Sequence, residues 1–188
     1  MAERAPQALV SQALAAGRTA AAAKAYFLAP SPLAAGRVLE TRLEARRARA
    51  AVDAAVEALT GRKSDWLAIS AAVADLADEA GWAVEEHERF DAKLGAAGRQ
   101  LSRTLERASA LLCAALGRLD EASDPLAEAK NKALQIEDIR RTARQAALNQ
   151  PRLASELSAQ AVLDRFSRAG EAVHRAADAL AARLAGAK

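Results

Sequence analysis

The sequence predicts an all-α protein: a six-helix bundle built from two tandem three-helix repeats. Three observations predict it. Alanine dominates an apolar share of 52%, aromatics make up 3%, and no run of β-branched and aromatic residues reads as a strand. Proline and glycine punctuate the chain at helix-length intervals. Segments of the two halves also match each other at a nearly constant spacing.

Pro6 opens a first helix, expected to run to about Ala29. In Pro30-Ser31-Pro32, Ser31 reads as an N-cap and Pro32 as the first helical position, because a hydroxyl can accept an orphan amide and proline lacks only a donor that has no partner there. That second helix is expected to reach about Leu59 and stop at Thr60-Gly61. A third starts at Ser64 or Asp65 and runs to about Glu88, with Ile69, Val73, Leu76, Ala80 and Ala83 inward. A fourth lies between Phe90 and Leu119, its start blurred by Gly95 and Gly98. Asp124-Pro125 reads as the N-cap and first position of a fifth helix, ending near Asn149. Gln150-Pro151 breaks the chain before a sixth. There Val162, Phe166, Ala169, Val173, Ala176 and Leu180 recur at spacings of four and three, forming one buried stripe, while Asp164, Glu171 and Asp178 fall away from it.

The halves match in detail. Ser31-Pro32-Leu33-Ala34 pairs with Asp124-Pro125-Leu126-Ala127 at an offset of 93, which also pairs Leu43 with Ile136, Glu44 with Glu137 and Arg47 with Arg140. In the next helices Ala72-Val73, Ala80-Gly81 and Ala83-Val84 pair with Ala161-Val162, Ala169-Gly170 and Ala172-Val173 at an offset of 89. The change of offset puts four extra residues in the first unit, at Gly61-Arg62-Lys63-Ser64. The expected organisation is a single helical domain over 1–188, with repeat 1 over about 6–89 and repeat 2 over about 90–186. The first helices of the units match weakly in sequence.

A net charge of +3 is too small to argue for nucleic acid. Arg42, Arg46, Arg47 and Arg49 form one basic cluster and Arg140, Arg141 and Arg144 another; each reads as a solvated helix face, with a face turned to an anionic surface as the alternative. Cys113, in an apolar run, reads as a buried structural thiol and allows no intramolecular disulfide. No apolar stretch reaches spanning length and no signal-peptide pattern is seen, so a soluble, cytoplasmic protein is expected.

Catalytic patterns are missing. His87 and His174 show no metal-ligand spacing and read as surface residues. Glu85-Glu86-Glu88 and Asp75-Asp78-Glu79 read as solvated acids, because acid–base work needs desolvated carboxyls. Trp66 reads as a staple of the third helix to the core. Trp82 stands where the second unit has Glu171: either an exposed partner anchor or a ring covered by a neighbouring helix.

Phe166-Ser167-Arg168-Ala169-Gly170-Glu171 resembles the Leu-Glu-Arg-Ile-Gly-Asp segment found in the third helix of a repeat in the PhoU-like superfamily. That superfamily includes PhoU-related proteins paired with Pit-type phosphate transporters. Ile136-Glu137-Asp138 and Leu43-Glu44 sit where its second helices carry Glu-x-x-x-Asp. The resemblance covers roughly residues 31–188. It implies surface metal clusters held by acids four residues apart, a spacing that places both carboxylates on one helical face. Each pair in this chain keeps one acid and lacks the other. Glu44 is followed by Ala48, Glu137 by Arg141 and Asp78 by Trp82, and Ser167 precedes Glu171. The expected metal positions are therefore Glu44, Asp78, Glu137 and Glu171, as degenerate sites for iron or zinc; the expected default is no cofactor. The resemblance further implies a non-enzymatic regulator that docks on a Pit-type phosphate transporter or another signalling protein. Trp82, Arg46, Arg47, Arg140 and Arg141 are the candidate docking residues. Nucleic acid is not an expected partner, membrane association is expected only through the partner, and self-association stays open. The alternative function is a helical structural or oligomeric adaptor, phasin-like or coiled-coil, without a phosphate role.

Overall fold

The computed structural model describes residues 5–58, 63–148 and 153–186. Six α-helices follow one another: α1 (Gln7–Leu28), α2 (Pro32–Glu57), α3 (Lys63–Phe90), α4 (Gly95–Gly117), α5 (Ser123–Leu148) and α6 (Leu153–Ala185). A short 3-10 turn, Leu119–Glu121, precedes α5. No strand occurs among the described residues.

The inward stripes read from sequence are the core. Val162, Phe166, Ala169, Val173, Ala176 and Leu180 on α6 are all fully buried, as are Ile69, Val73 and Ala80 on α3. α3 and α6 pack on each other, α1 packs on α3 and α4, and α4 packs on α6, which makes a central four-helix layer. α2 lies outside it on α1 and α3, and α5 lies outside it on α4 and α6. Small side chains at these contacts let the backbones approach closely, which is what the alanine-rich composition is for.

Helix boundaries follow local chemistry. Ser31 Oγ accepts the amide of Ala34 at 3.2 Å with Pro32 in the first turn, as expected. At the other end of α3, Asp91 adopts φ 47°; its N–H reaches the Glu88 carbonyl and that of Ala92 the His87 carbonyl, a Schellman closure with aspartate in the place usually taken by glycine. α4 then begins at Gly95, at φ +51°. The start of α5 differs from expectation. The Leu126 amide bonds the Ala122 carbonyl, so the helix is already running at Ser123, and Asp124 and Pro125 lie inside its first turn. The Thr60-Gly61 stop, the Gly61-Arg62 half of the expected insertion and the Gln150-Pro151 break lie outside the described residues.

Burial also corrects the offset of the second helices. α2 and α5 start 91 positions apart, at Pro32 and Ser123, and end 91 apart, at Glu57 and Leu148. At that spacing the buried Val38, Arg42, Ala45 and Val56 meet the buried Ala129, Ala133, Ile136 and Ala147. At 93, Leu43 (41% exposed) would have to match Ile136 (0%). The Pro-Leu-Ala match is thus a coincidence of two helix starts two residues out of phase. α1 and α4 agree in burial at an offset of 89, where Gln12, Ala16, Ala23 and Tyr26 meet Leu101, Leu105, Leu112 and Ala115. Their sequences match weakly because large and small side chains trade places at equivalent positions.

Candidate functional site

A dense group of charged side chains runs across α2, α3 and α6. α3 carries Asp78, Glu79, Glu85 and Glu86 on the turns where its neighbours cross it. Arg42, from α2, is only 5% exposed. Its Nε donates to Asp78 at 2.9 Å and its Nη1 to Glu85 at 2.5 Å. Arg46 Nε adds a second donor to Asp78 at 2.8 Å. From the other side, Arg165 on α6 donates to Glu86 at 2.8 Å and to Glu79 at 3.1 Å. The hydrogen bond to Glu86 is the largest cause holding the Arg165 guanidinium above its ordinary pKa. Trp82 lies between the two cations, its ring 4.8 Å from the Arg42 guanidinium carbon and 4.9 Å from that of Arg165. Gly81 makes the arrangement fit: a Cβ there would stand 2.4 Å from Arg42 Cδ.

The corresponding surface of the second unit, between α5 and α6, is built differently. Ala133 stands in the place of Arg42, Ser167 in that of Asp78, Gly170 in that of Gly81 and Glu171 in that of Trp82. Arg140 donates to Glu137 at 2.8 and 2.6 Å and to Asp164 at 3.2 Å. Ser167 Oγ donates to Glu137 at 2.9 Å. The Arg140 hydrogen bond, aided by that of Ser167, holds the Glu137 carboxyl below its ordinary value. With no arginine stem over Gly170, a groove of about 390 Å³ opens here, lined by Ala133, Leu134, Glu137, Ser167 and Glu171 among others.

Several expectations change. Trp82 is not a bare anchor; the guanidinium carbons of Arg42 and Arg165 lie 4.8 and 4.9 Å from its ring centre. The first basic cluster is not one solvated face: Arg42 and Arg46 turn to α3, while Arg47 and Arg49 stay exposed. In the second cluster Arg140 is engaged, and Arg141 is exposed, 3.8 Å from Asp138. Asp78, Glu79 and Glu86 are not solvated acids, since their side chains are 22%, 13% and 18% exposed under arginine. Glu44 is exposed and pairs with Arg18 at 3.2 Å. His87 is not a surface residue: it is half-buried edge-on to Tyr26 and Phe27, with Tyr26 Oη 2.9 Å from its Nδ1. Trp66 is the expected staple, 2% exposed, with Arg183 4.1 Å above its ring. Cys113 is largely covered and its Sγ lies 3.1 Å from the Ala13 carbonyl. Sequence reading missed Arg165. The available signal was on α3, where Glu79 and Glu86, seven apart, share a face that needs cations from a neighbour.

Among solved structures, the crystal structure of the phosphate transport system regulatory protein PhoU from Streptococcus pneumoniae is similar to this chain, with a TM-score of 0.77 at 12% identity. The match covers 97% of this chain and 93% of that one. The fold is therefore PhoU-like from end to end. No protein-family model matches the chain, and no curated protein matches it in sequence.

The metal clusters that the resemblance implies do not suit the residues present. Glu44, Asp78 and Glu137 each already hold an arginine. Trp82 fills the place of a second acid in the first unit. No group of three or more His, Cys, Asp or Glu among the described residues is placed to hold a metal ion. No helix among the described residues is long and apolar enough to cross a membrane.

Proposed function

We propose that this chain is a non-enzymatic regulatory or accessory protein of phosphate transport or signalling, acting by docking its outer helices on a component of the transport system. The carrying observation is the extent of the fold match: 97% of the chain follows a phosphate transport system regulatory protein. The described side chains agree with a docking role. The charged groups between α2, α3 and α6 are tied in ion pairs, and the Cys113 thiol is pushed up to about 11 by burial, away from nucleophilic use. The outer helices α2 and α5 offer partly exposed leucines, Leu39, Leu43 and Leu134, beside charged residues. The transporter we favour is of the Pit type, and the site of action is the cytoplasmic face of the membrane.

The test is affinity capture of the tagged chain from native membranes, paired with phosphate uptake in cells lacking it. Recovery of a phosphate-transport component, with uptake altered at low or high phosphate, supports the reading. Unchanged uptake with no transport component recovered overturns it.

A further inference from the structure

In the first unit Arg42 narrows the α2–α3 groove, where about 220 Å³ remains, and the second unit leaves a wider groove of about 390 Å³ over Gly170. In the first, the stem of Arg42 lies over Gly81 and its guanidinium sits between Trp82, Asp78 and Glu85. In the second, Gly170 is again the floor, but Ala133 supplies no stem; the nearest side chain to a Cβ on Gly170 is Ile136, at 3.3 Å. The walls carry different acids: Ser167 and His174 stand where Asp78 and Glu85 hold Arg42, and Glu171 stands where Trp82 stacks on it. Glu171 has no ion-pair partner among the described residues, and Glu137, already bonded to Arg140 and Ser167, also lines the groove. Of the cations nearby, Arg175 lines the groove but is paired with Asp75 at 2.7 Å, and Arg140 sits on Glu137 and Asp164. His174 pairs with Asp178 at 3.3 Å. The space left, about 390 Å³, is ample for one arginine head and its stem.

We propose that the α5–α6 groove receives an arginine side chain from a protein partner, seated over Gly170 against Glu171 and Glu137 as Arg42 is seated over Gly81 against Asp78 and Glu85. The same architecture thus holds a guanidinium twice, once from its own chain and once from another. Arginine is favoured over lysine because a planar fork can lie on the glycine floor and address two carboxylates together. The inference depends on the docking reading only for where the arginine comes from.

The primary test titrates the whole protein with the peptide Ac-Gly-Arg-Gly-NH2 and follows backbone amide signals by NMR. Saturable shifts at Ser167, Gly170 and Glu171, absent with the citrulline peptide and lost in Glu171→Lys, are expected. No response, or an equal response to citrulline, overturns the proposal. So does Zn²⁺ alone saturating the same signals and excluding the peptide, since the groove is then a metal site. A second arm fills the groove from inside with Ala133→Arg. This variant should gain about 2–4 °C in melting temperature and no longer respond to the peptide; a filled variant that still binds the peptide at the same signals counts against the assignment. The failures are separable: peptide binding without recovery of a transport component leaves the groove standing and removes the phosphate-transport reading.

Discussion

Gln12 on α1 and Ser70 on α3 exchange two hydrogen bonds in the interior. Gln12 Nε2 donates to the Ser70 carbonyl at 2.9 Å and Ser70 Oγ donates to Gln12 Oε1 at 2.8 Å. Both residues are essentially unexposed, 0% and 1%. The second unit has apolar Leu101 at the position of Gln12, so this pair is particular to the first. A doubly bonded amide in a core of alanines fixes how far α1 slides along α3, because any slip leaves polar groups dry and unpaired.

Replacing Gln12 with leucine leaves the Ser70 hydroxyl without its acceptor, and should cost about 1–3 kcal/mol. Adding Ser70→Ala should recover part of the loss, since both ends of the bond are then apolar. Urea denaturation of the four proteins of the cycle measures this; a double variant weaker than the sum of the singles would count against it.

Gly81→Ala should act through Arg42. The new methyl overlaps the Arg42 stem, at 2.4 Å from Cδ, and pushes the guanidinium off Trp82 and Asp78. A loss of about 1–3 kcal/mol is expected, from a partly buried ion pair broken at one end. In an Arg42→Met background the same substitution should add little. Emission of Trp82 in a Trp66→Phe protein reports the displacement directly.

His87 makes stability depend on pH. Burial, the largest influence, lowers its pKa below 6.5, with Asp91 opposing and Lys93 assisting. The phenol of Tyr26 is raised to about 12, mainly by burial and then by Glu88 and Asp91, so it stays protonated beside the ring, its oxygen 2.9 Å from Nδ1. A base with a lowered folded pKa stabilises the fold fully above its unfolded value, and this is lost as pH falls through the folded value. Stability should therefore decline from about pH 6.5 downward, and His87→Gln should flatten that slope. Glu137 and Asp178, both lowered, act in a more acid window, below their ordinary carboxylate range. Chemical denaturation at a series of pH values separates the two windows.

Cys113 should resist thiol reagents in the folded protein. With its thiol at about 11 rather than 9.0, the thiolate fraction at pH 8 falls by roughly two orders of magnitude. Iodoacetamide labelling at pH 8 should be slower by at least that factor than in the urea-unfolded chain; equal rates would contradict the burial described.

Much of the fold was legible in the sequence because apolar spacing and proline punctuation are local signals. The α6 stripe from Val162 to Leu180 and the Ser31 cap needed no tertiary information. What misled was a local match carrying the wrong phase. Pro32 and Pro125 both mark helix starts, but proline fits anywhere in the first turn, so the pair could not fix an offset to better than a residue or two. The candidate site was less legible for a different reason. Whether Arg42 faces water or Trp82 depends on Gly81, 39 residues on, having no side chain. His87 was misread likewise, because its charged neighbours on α3 say nothing of Tyr26 arriving from α1.

The placement of α2 and α5 on opposite flanks of the central layer has an evolutionary corollary. Each flanking rod rests on helices of its own half, while the seam is kept by α1, α3, α4 and α6. Mutations on one flank can therefore accumulate without being felt on the other. A duplicated ancestor with two identical faces can drift into a molecule with two unlike ones, one occupied by its own arginine and one not, while its centre stays under a single constraint.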